Sequence, residues 1–317
     1  MIGVALSTHD LVKTYGSRRA LDRFTLAVPQ GAVMGLVGPN GAGKTTWMMT
    51  VAGFIRPTSG HVDLLGRGAF DAVVHSGRVS ILPQDSELPL EACAAELLYR
   101  YGRIQGLSSD EARRASAEVL AAVNLSDRSR APIRALSHGM RKRVMLAQCF
   151  LGSPEVILLD EPLNGLDPVE QDRVRRFILS RRGRQTIVVS SHNLHDVEVL
   201  CSHVALVAKG RVAQMSTIQA LTRQTGVVEY GLAGIHGDRS VLETALAEAL
   251  PGLNYEWRGG PTGEDVVTLV CTFEGVASQV STVNRALIPV LLAHAEVLSV
   301  SQGRSLEQAY LGVGGVS

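Results

Sequence analysis

The sequence predicts an α/β domain built on a parallel sheet, followed by a smaller α+β unit. Three observations predict it. Continuous Val/Ile/Leu runs at 31–38, 78–84, 155–161, 185–191 and 203–210 are separated by helical patterns, as expected for strands buried on both faces. The first run ends in a glycine-rich loop that opens a helical stretch, 45–54. Composition shifts after about residue 224. Residues 223–317 carry five Arg, no Lys and ten acidic residues, a net of −5, so the preceding 222 residues carry +6. A chain of 317 residues has room for two domains, here placed at 1–222 and 223–317.

Between the second and third apolar runs the pattern is helical only. Residues 91–107 and 108–125 read as two amphipathic helices, the second opened by a Ser cap followed by acidic residues. This predicts a helical insertion at about 86–136. The tail alternates a strand at 227–232, a helix at 240–250, a strand at 265–273, a helix at 277–295, a strand at 296–302 and a helix at 305–313. That alternation is the α+β unit.

Charge and cysteine usage exclude several classes. Lys plus Arg is 31 and Asp plus Glu is 30, so bulk attraction to nucleic acid is not expected. Cys93, Cys149, Cys201 and Cys271 form no CxxC pair, which argues against a zinc site or a disulfide framework. The N-terminus meets Asp10 before any long apolar region, unlike a secretory signal. The uncharged stretch 24–43 is broken by Pro29, Gln30, Pro39, Asn40 and several glycines, so it does not read as a membrane span. Any membrane role is expected to run through a partner.

Two motifs carry chemistry. Gly38, Pro39, Asn40, Gly41, Ala42, Gly43, Lys44 and Thr45 fit GxxxxGK[ST] between a strand and a helix. Such glycines let successive N–H groups curl around phosphate oxygens, and the helix N-terminus adds its dipole. Lys44 would neutralise β- and γ-phosphates, and the Thr45 hydroxyl would face Mg²⁺. The run 156–161 is a buried strand ending in Asp160 and Glu161. A carboxylate there can hold Mg²⁺ through water, and its neighbour can orient or deprotonate a hydrolytic water. Together they predict a P-loop NTPase. A third segment, Leu136, Ser137, His138, Gly139 and Met140, opens a helix and offers a second anion site or a plain Ser cap. The arginines between 173 and 184 lie beside Asp167, Glu170 and Asp172 and read as a solvated helix face.

In their order these motifs resemble an ATP-binding cassette (ABC) ATPase, the nucleotide-binding subunit of ABC transporters, over about residues 6–221. The resemblance implies an N-terminal antiparallel β-subdomain and assigns roles. Tyr15 matches the aromatic that stacks on adenine, and Thr46 joins Thr45 at the phosphates. Gln84 matches the glutamine that senses Mg²⁺ and the membrane partner, giving Thr45, Gln84 and Asp160 as the metal set. Glu161 and His192 match the catalytic glutamate and the histidine that contacts the γ-phosphate. Residues 164–167, ending in Asp167, match the D-loop. Residues 136–140 stand where LSGGQ belongs, with His138 replacing Gly and Met140 replacing Gln, while Ser137 and Gly139 keep the positions expected to reach a γ-phosphate. In this family that loop completes the ATP site of a second cassette, so a homodimer or heterodimer is implied. Residues 305–312 resemble the closing helix of cassettes that pair with separate exporter-type membrane proteins, which implies transmembrane permease subunits and a peripheral position on the cytoplasmic side of a bacterial inner membrane; the tail's acidic balance and α+β pattern suggest a dimerisation or regulatory module. The alternatives are a soluble ABC ATPase of translation or chromosome maintenance, and more remotely a P-loop kinase or GTPase. The loop at 136–140, His192 and the lack of an NKxD motif argue against the last two.

Overall fold

The computed structural model describes residues 3–223, 226–235, 238–259, 266–273 and 280–302. They divide into two units, Met1–Ser216 and Thr217–Ser317. The boundary thus falls somewhat ahead of the composition shift. The expected helix at 305–313 lies outside the described residues.

The first unit opens on a hairpin of two long strands, β1 (Val4–Tyr15) and β2 (Arg18–Pro29), joined across Gly16 and Ser17. With β4 (Ser59–Leu64) they form an antiparallel sheet in the order β2-β1-β4. Alternate residues such as Leu6, Leu11, Phe24 and Leu26 face the core, as a half-buried strand requires. Positive φ at Asp10 and Arg23 coincides with register shifts that bend the pair.

The second sheet has six strands in the order β5-β6-β7-β3-β8-β9. They are β3 (Val33–Val37), β5 (Val79–Leu82), β6 (Val156–Asp160), β7 (Thr186–Ser191), β8 (His203–Ala208) and β9 (Arg211–Thr217). The β5–β6, β6–β7, β7–β3 and β3–β8 pairs are parallel. Every residue of β3, β6 and β7 is buried, which is why their centres read as apolar runs, with buried polar residues only at the ends, such as Asp160 on β6 and Thr186, Ser190 and Ser191 on β7. Helix α1 (Lys44–Val51) follows β3 and buries Trp47 fully. The Trp47 indole stacks on Phe24, and its Nε1–H donates to Thr8 Oγ1 at 3.1 Å. Without that acceptor the indole N–H would be a buried, unmet donor. The bond ties the phosphate-loop helix to β1.

Helices α2 (Ala94–Ile104) and α3 (Ser109–Ala122) form the helical insertion. Ser108 caps α3 in a capping box: its Oγ accepts from Glu111 N, and Glu111 Oε2 accepts from Ser108 N at 2.8 Å. Then come α4 (His138–Cys149), α5 (Pro168–Leu179) and α6 (Leu194–Leu200). On α5, Arg173 pairs with Glu170, Arg175 with Asp196 and Arg176 with Asp172. The four cysteines are free thiols, and burial pushes Cys149 up to about 12.

The second unit starts with the short α7 (Ile218–Arg223). It continues as β10 (Gly226–Ala233), α8 (Arg239–Ala249), β11 (Asn254–Arg258), β12 (Val266–Phe273), α9 (Val280–His294) and β13 (Glu296–Gln302). The β10–β13 run is a βαββαβ sequence whose antiparallel sheet is ordered β11-β12-β10-β13, a split-βαβ arrangement. Its core joins Val228, Tyr230 and Leu232 to Leu242, Leu246 and Leu287. β11, absent from the sequence expectation, is a short edge strand with polar Asn254, Glu256 and Arg258 outward. Among the described residues no helix is long and apolar enough to cross a membrane.

Candidate nucleotide site

Parallel register brings three strand ends together. Val37 lies opposite Ser191, and Asp160 lies opposite Ser190, so the chain segments leaving β3, β6 and β7 emerge side by side. Ligands of open α/β sheets bind outside such carboxyl ends. A cleft of about 530 Å³ opens there.

The glycine loop forms its first wall. Glycine is obligatory at two points. A Cβ on Gly38 would stand 2.2 Å from Val207 O, and one on Gly43, at φ 107°, would stand 2.7 Å from Ala20 O. Gly43 is the N-cap of α1, with no side-chain cap and no acidic residue in the first turn, so the helix dipole at this end is unopposed. Lys44 is buried, and its Nζ donates to Gly38 O at 2.7 Å and Pro39 O at 3.2 Å. Burial lowers its pKa, while Glu161 and Asp160 oppose that shift. Asn40, Gly41, Gly43, Lys44, Thr45 and Thr46 line the cleft. Gly38, Pro39 and Ala42 support the loop from outside it.

Asp160 and Glu161 form the opposite wall. Asp160 is 1% exposed. Its Oδ1 accepts from the Ser190 hydroxyl, and its Oδ2 is buried with no hydrogen-bond partner among the described residues. A buried carboxylate oxygen without a donor is costly unless a cation or a held water meets it. Thr45 and Gln84 line the same cleft, so its oxygen donors suit a hard cation such as Mg²⁺. Glu161 sits at φ 49°, an uncommon backbone state for a non-glycine residue. Its N–H donates to Ser190 Oγ at 2.9 Å. His192 Nδ1 lies 3.0 Å and 3.1 Å from the two Glu161 carboxylate oxygens.

Ser190, fully buried on β7, therefore serves both carboxylate residues at once. The sequence offered no signal for it beyond a serine inside an apolar strand. Ser190→Ala orphans the Glu161 N–H and the remaining bonded oxygen of Asp160. An expected cost of about 2–4 kcal/mol would be read in denaturant unfolding, with turnover falling alongside.

Tyr15 lines the cleft from the β1–β2 hairpin and is 48% exposed, leaving ring surface for stacking. Lys13 Nζ sits 5.0 Å from its ring centroid and donates to Arg56 O, which steadies the ring. Arg18 and Ala20 also line the cleft and were not singled out from sequence. Besides Gly38, Pro39 and Ala42, four predicted residues do not line this cleft: His192 lines a smaller pocket that shares Glu161 with it, and three lie elsewhere. Ser137 caps α4, accepting from Met140 N at 3.2 Å. Asp167 caps α5, accepting from Glu170 N at 2.9 Å, with Pro168 at the first helical position. Gly139 packs on α5, where a Cβ would stand 3.0 Å from Glu170 Cγ. None of the three is among the residues lining the cleft of their own chain.

The profile of the ABC transporter family matches residues 21–164. The daunorubicin resistance ATP-binding protein DrrA3 of Streptomyces coeruleorubidus is 33% identical over 71% of this chain and 72% of its own length. The Nod factor export ATP-binding protein I of Ralstonia nicotianae is 34% identical over 76% of each chain. Among solved structures, the ATP-binding subunit of an ABC transporter superposes with a TM-score of 0.62 at 26% identity, covering 68% of this chain and 91% of that one. A phosphate loop facing a buried Asp-Glu pair, matched by relatives of this kind over most of their length, establishes that the chain belongs to the ATP-binding proteins of ABC transporters.

Proposed function

We propose that this chain is the Mg²⁺-dependent ATPase subunit of an exporter-type ABC transporter, acting as one of two cassettes on separate transmembrane subunits. The observation that carries this reading is one cleft that joins a phosphate loop to Asp160, with an unmet buried oxygen, and to Glu161, whose carboxylate His192 Nδ1 contacts. A relative named for Nod factor export, beside one named for daunorubicin resistance, supports the direction.

In this reading Tyr15 stacks on adenine. The loop amides from Gly41 to Thr46, with Lys44, take the phosphates. Mg²⁺, when bound by Thr45, Gln84 and Asp160, supplies charge neutralisation of the phosphates. Glu161 polarises the attacking water. His192 sets Nδ1 against the Glu161 carboxylate and leaves Nε2, on the other side of the ring, for a γ-phosphate oxygen. Ser137, Gly139 and Asp167 serve the partner cassette's nucleotide. The Ser137 and Asp167 side chains already cap helices α4 and α5, and Gly139 packs closely on Glu170, so the surface offered to a partner is rigid before docking. ATP then acts as glue: only the closed pair makes both sets of contacts, and loss of the γ-phosphate releases them. The unit 223–317 is assigned a dimerisation or regulatory role, and the assembly a place on the cytoplasmic face of the inner membrane.

Purifying the tagged chain from mild-detergent extracts of its host tests the transport assignment. A stoichiometric polytopic membrane protein is the expected companion. Recovery of only soluble partners, ribosomes or DNA overturns it.

A further inference from the structure

We infer that Arg18 is a second cationic anchor for the nucleotide's phosphate chain, delivered to the phosphate loop by the β1–β2 hairpin. The inference rests on reading the cleft as an ATP site and adds a residue that neither motif contains.

Tyr15 and Arg18 are direct partners across the two-residue turn Gly16–Ser17. Directly opposed residues in an antiparallel pair project on the same side. Both line the cleft. The Arg18 guanidinium extends from that position to the glycine loop, where its Nη2 stands 3.2 Å from the point a Cβ on Gly41 would occupy. Arg18 thus spans from the ring assigned to adenine to the loop assigned to phosphate.

Charge pairing distinguishes it from its neighbour. Arg19 donates to Asp22 at 2.9 Å, and Arg211 pairs with the same carboxylate. Arg18 is exposed and in no ion pair among the described residues. The charged side chains lining the cleft are Lys44 and Arg18 against Asp160 and Glu161. Lys44 already gives two hydrogen bonds to loop carbonyls. Arg18 is the lining cation with a planar fork free for phosphate oxygens, a geometry guanidinium matches bidentately and ammonium does not. Its exposure before binding means that its desolvation and ordering are completed only when a polyanion arrives. The expected contribution is therefore smaller than that of Lys44.

The test is equilibrium binding of ATP, ADP and uncharged adenosine to the parent, Arg18→Gln and Arg18→Lys chains, by competition against a fluorescent ATP analogue. Arg18→Gln is expected to weaken ATP and ADP about tenfold and leave adenosine within about twofold. Arg18→Lys should recover part of the loss, because it keeps the charge but not the fork. Unchanged thermal melting of the free variants separates a binding effect from misfolding. ATP affinity within about twofold of the parent in Arg18→Gln overturns the assignment, as does an equal loss for adenosine, which would place Arg18 at the base rather than the phosphates. A parent chain that binds no ATP would overturn the reading of the cleft itself.

Discussion

A Glu161→Gln chain is expected to bind ATP with nearly parental affinity while its turnover falls by about 10²–10⁴. Glutamine keeps the length of the side chain and an oxygen that can face His192 Nδ1, now 3.0 Å from the carboxylate. The backbone bond from residue 161 to Ser190 does not involve the side chain, so the local frame is retained. What is lost is a carboxylate able to accept a proton from water. Phosphate release and nucleotide binding, measured on the same preparation, check the split. Turnover near the parent level would remove Glu161 from the catalytic role. In the same assay, chelation should silence the parent, and added Mg²⁺ should restore it. Turnover that survives chelation would remove Asp160, Thr45 and Gln84 from the metal role.

Replacing Lys44 by Met should lower ATP affinity by about 10- to 100-fold, given about 1.5–3 kcal/mol for a hydrogen bond to a charged group. Methionine preserves most of the aliphatic stem, which is buried, and removes only the ammonium. That ammonium gives its hydrogen bonds to Gly38 O and Pro39 O. It also lies close enough to Asp160 and Glu161 for both to favour its charge. Its removal withdraws a phosphate ligand and leaves two buried carboxylates with less compensation. Isothermal titration distinguishes this from the Glu161→Gln outcome, because affinity should fall here and persist there. Equal affinity in the two variants would remove Lys44 from the phosphate role.

The parts of the fold legible in the sequence were those governed by local rules. The fully buried strands β3, β6 and β7 stood out because their central residues are apolar on both faces. Helix α3 announced itself through the Ser108 cap and Glu111. Asp160 and Glu161 were visible as charges closing an apolar run. The β1–β2 strands were harder: their period-2 pattern is interrupted at the register shifts near Asp10 and Arg23, so no long alternation survives to be read. β11 is only five residues long. Ser190 and Arg18 were invisible for a different reason. Their importance comes from what pairing sets opposite them, Asp160 in one case and Tyr15 in the other. No property of their own segments encodes that. Ser137 and Asp167 carry a further lesson. Each is accounted for locally as a helix cap, so a cap reading and a partner-facing reading of one residue are compatible.

Gly38 and Gly43 are among the glycines whose added Cβ would run into main-chain carbonyls, and this has a consequence at the level of the gene. Backbone oxygens cannot rotate away as a flexible side chain can, so neither Gly38 nor Gly43 has a tolerable neighbour in the amino-acid alphabet. Glycine codons share their first two bases and are free at the third. Among randomly mutated copies selected for function, the codons for residues 38 and 43 should therefore vary only in synonymous spelling, while the codon for an open position such as Gly16, whose added Cβ meets nothing within 4 Å, retains missense changes whose steric cost is its positive φ alone.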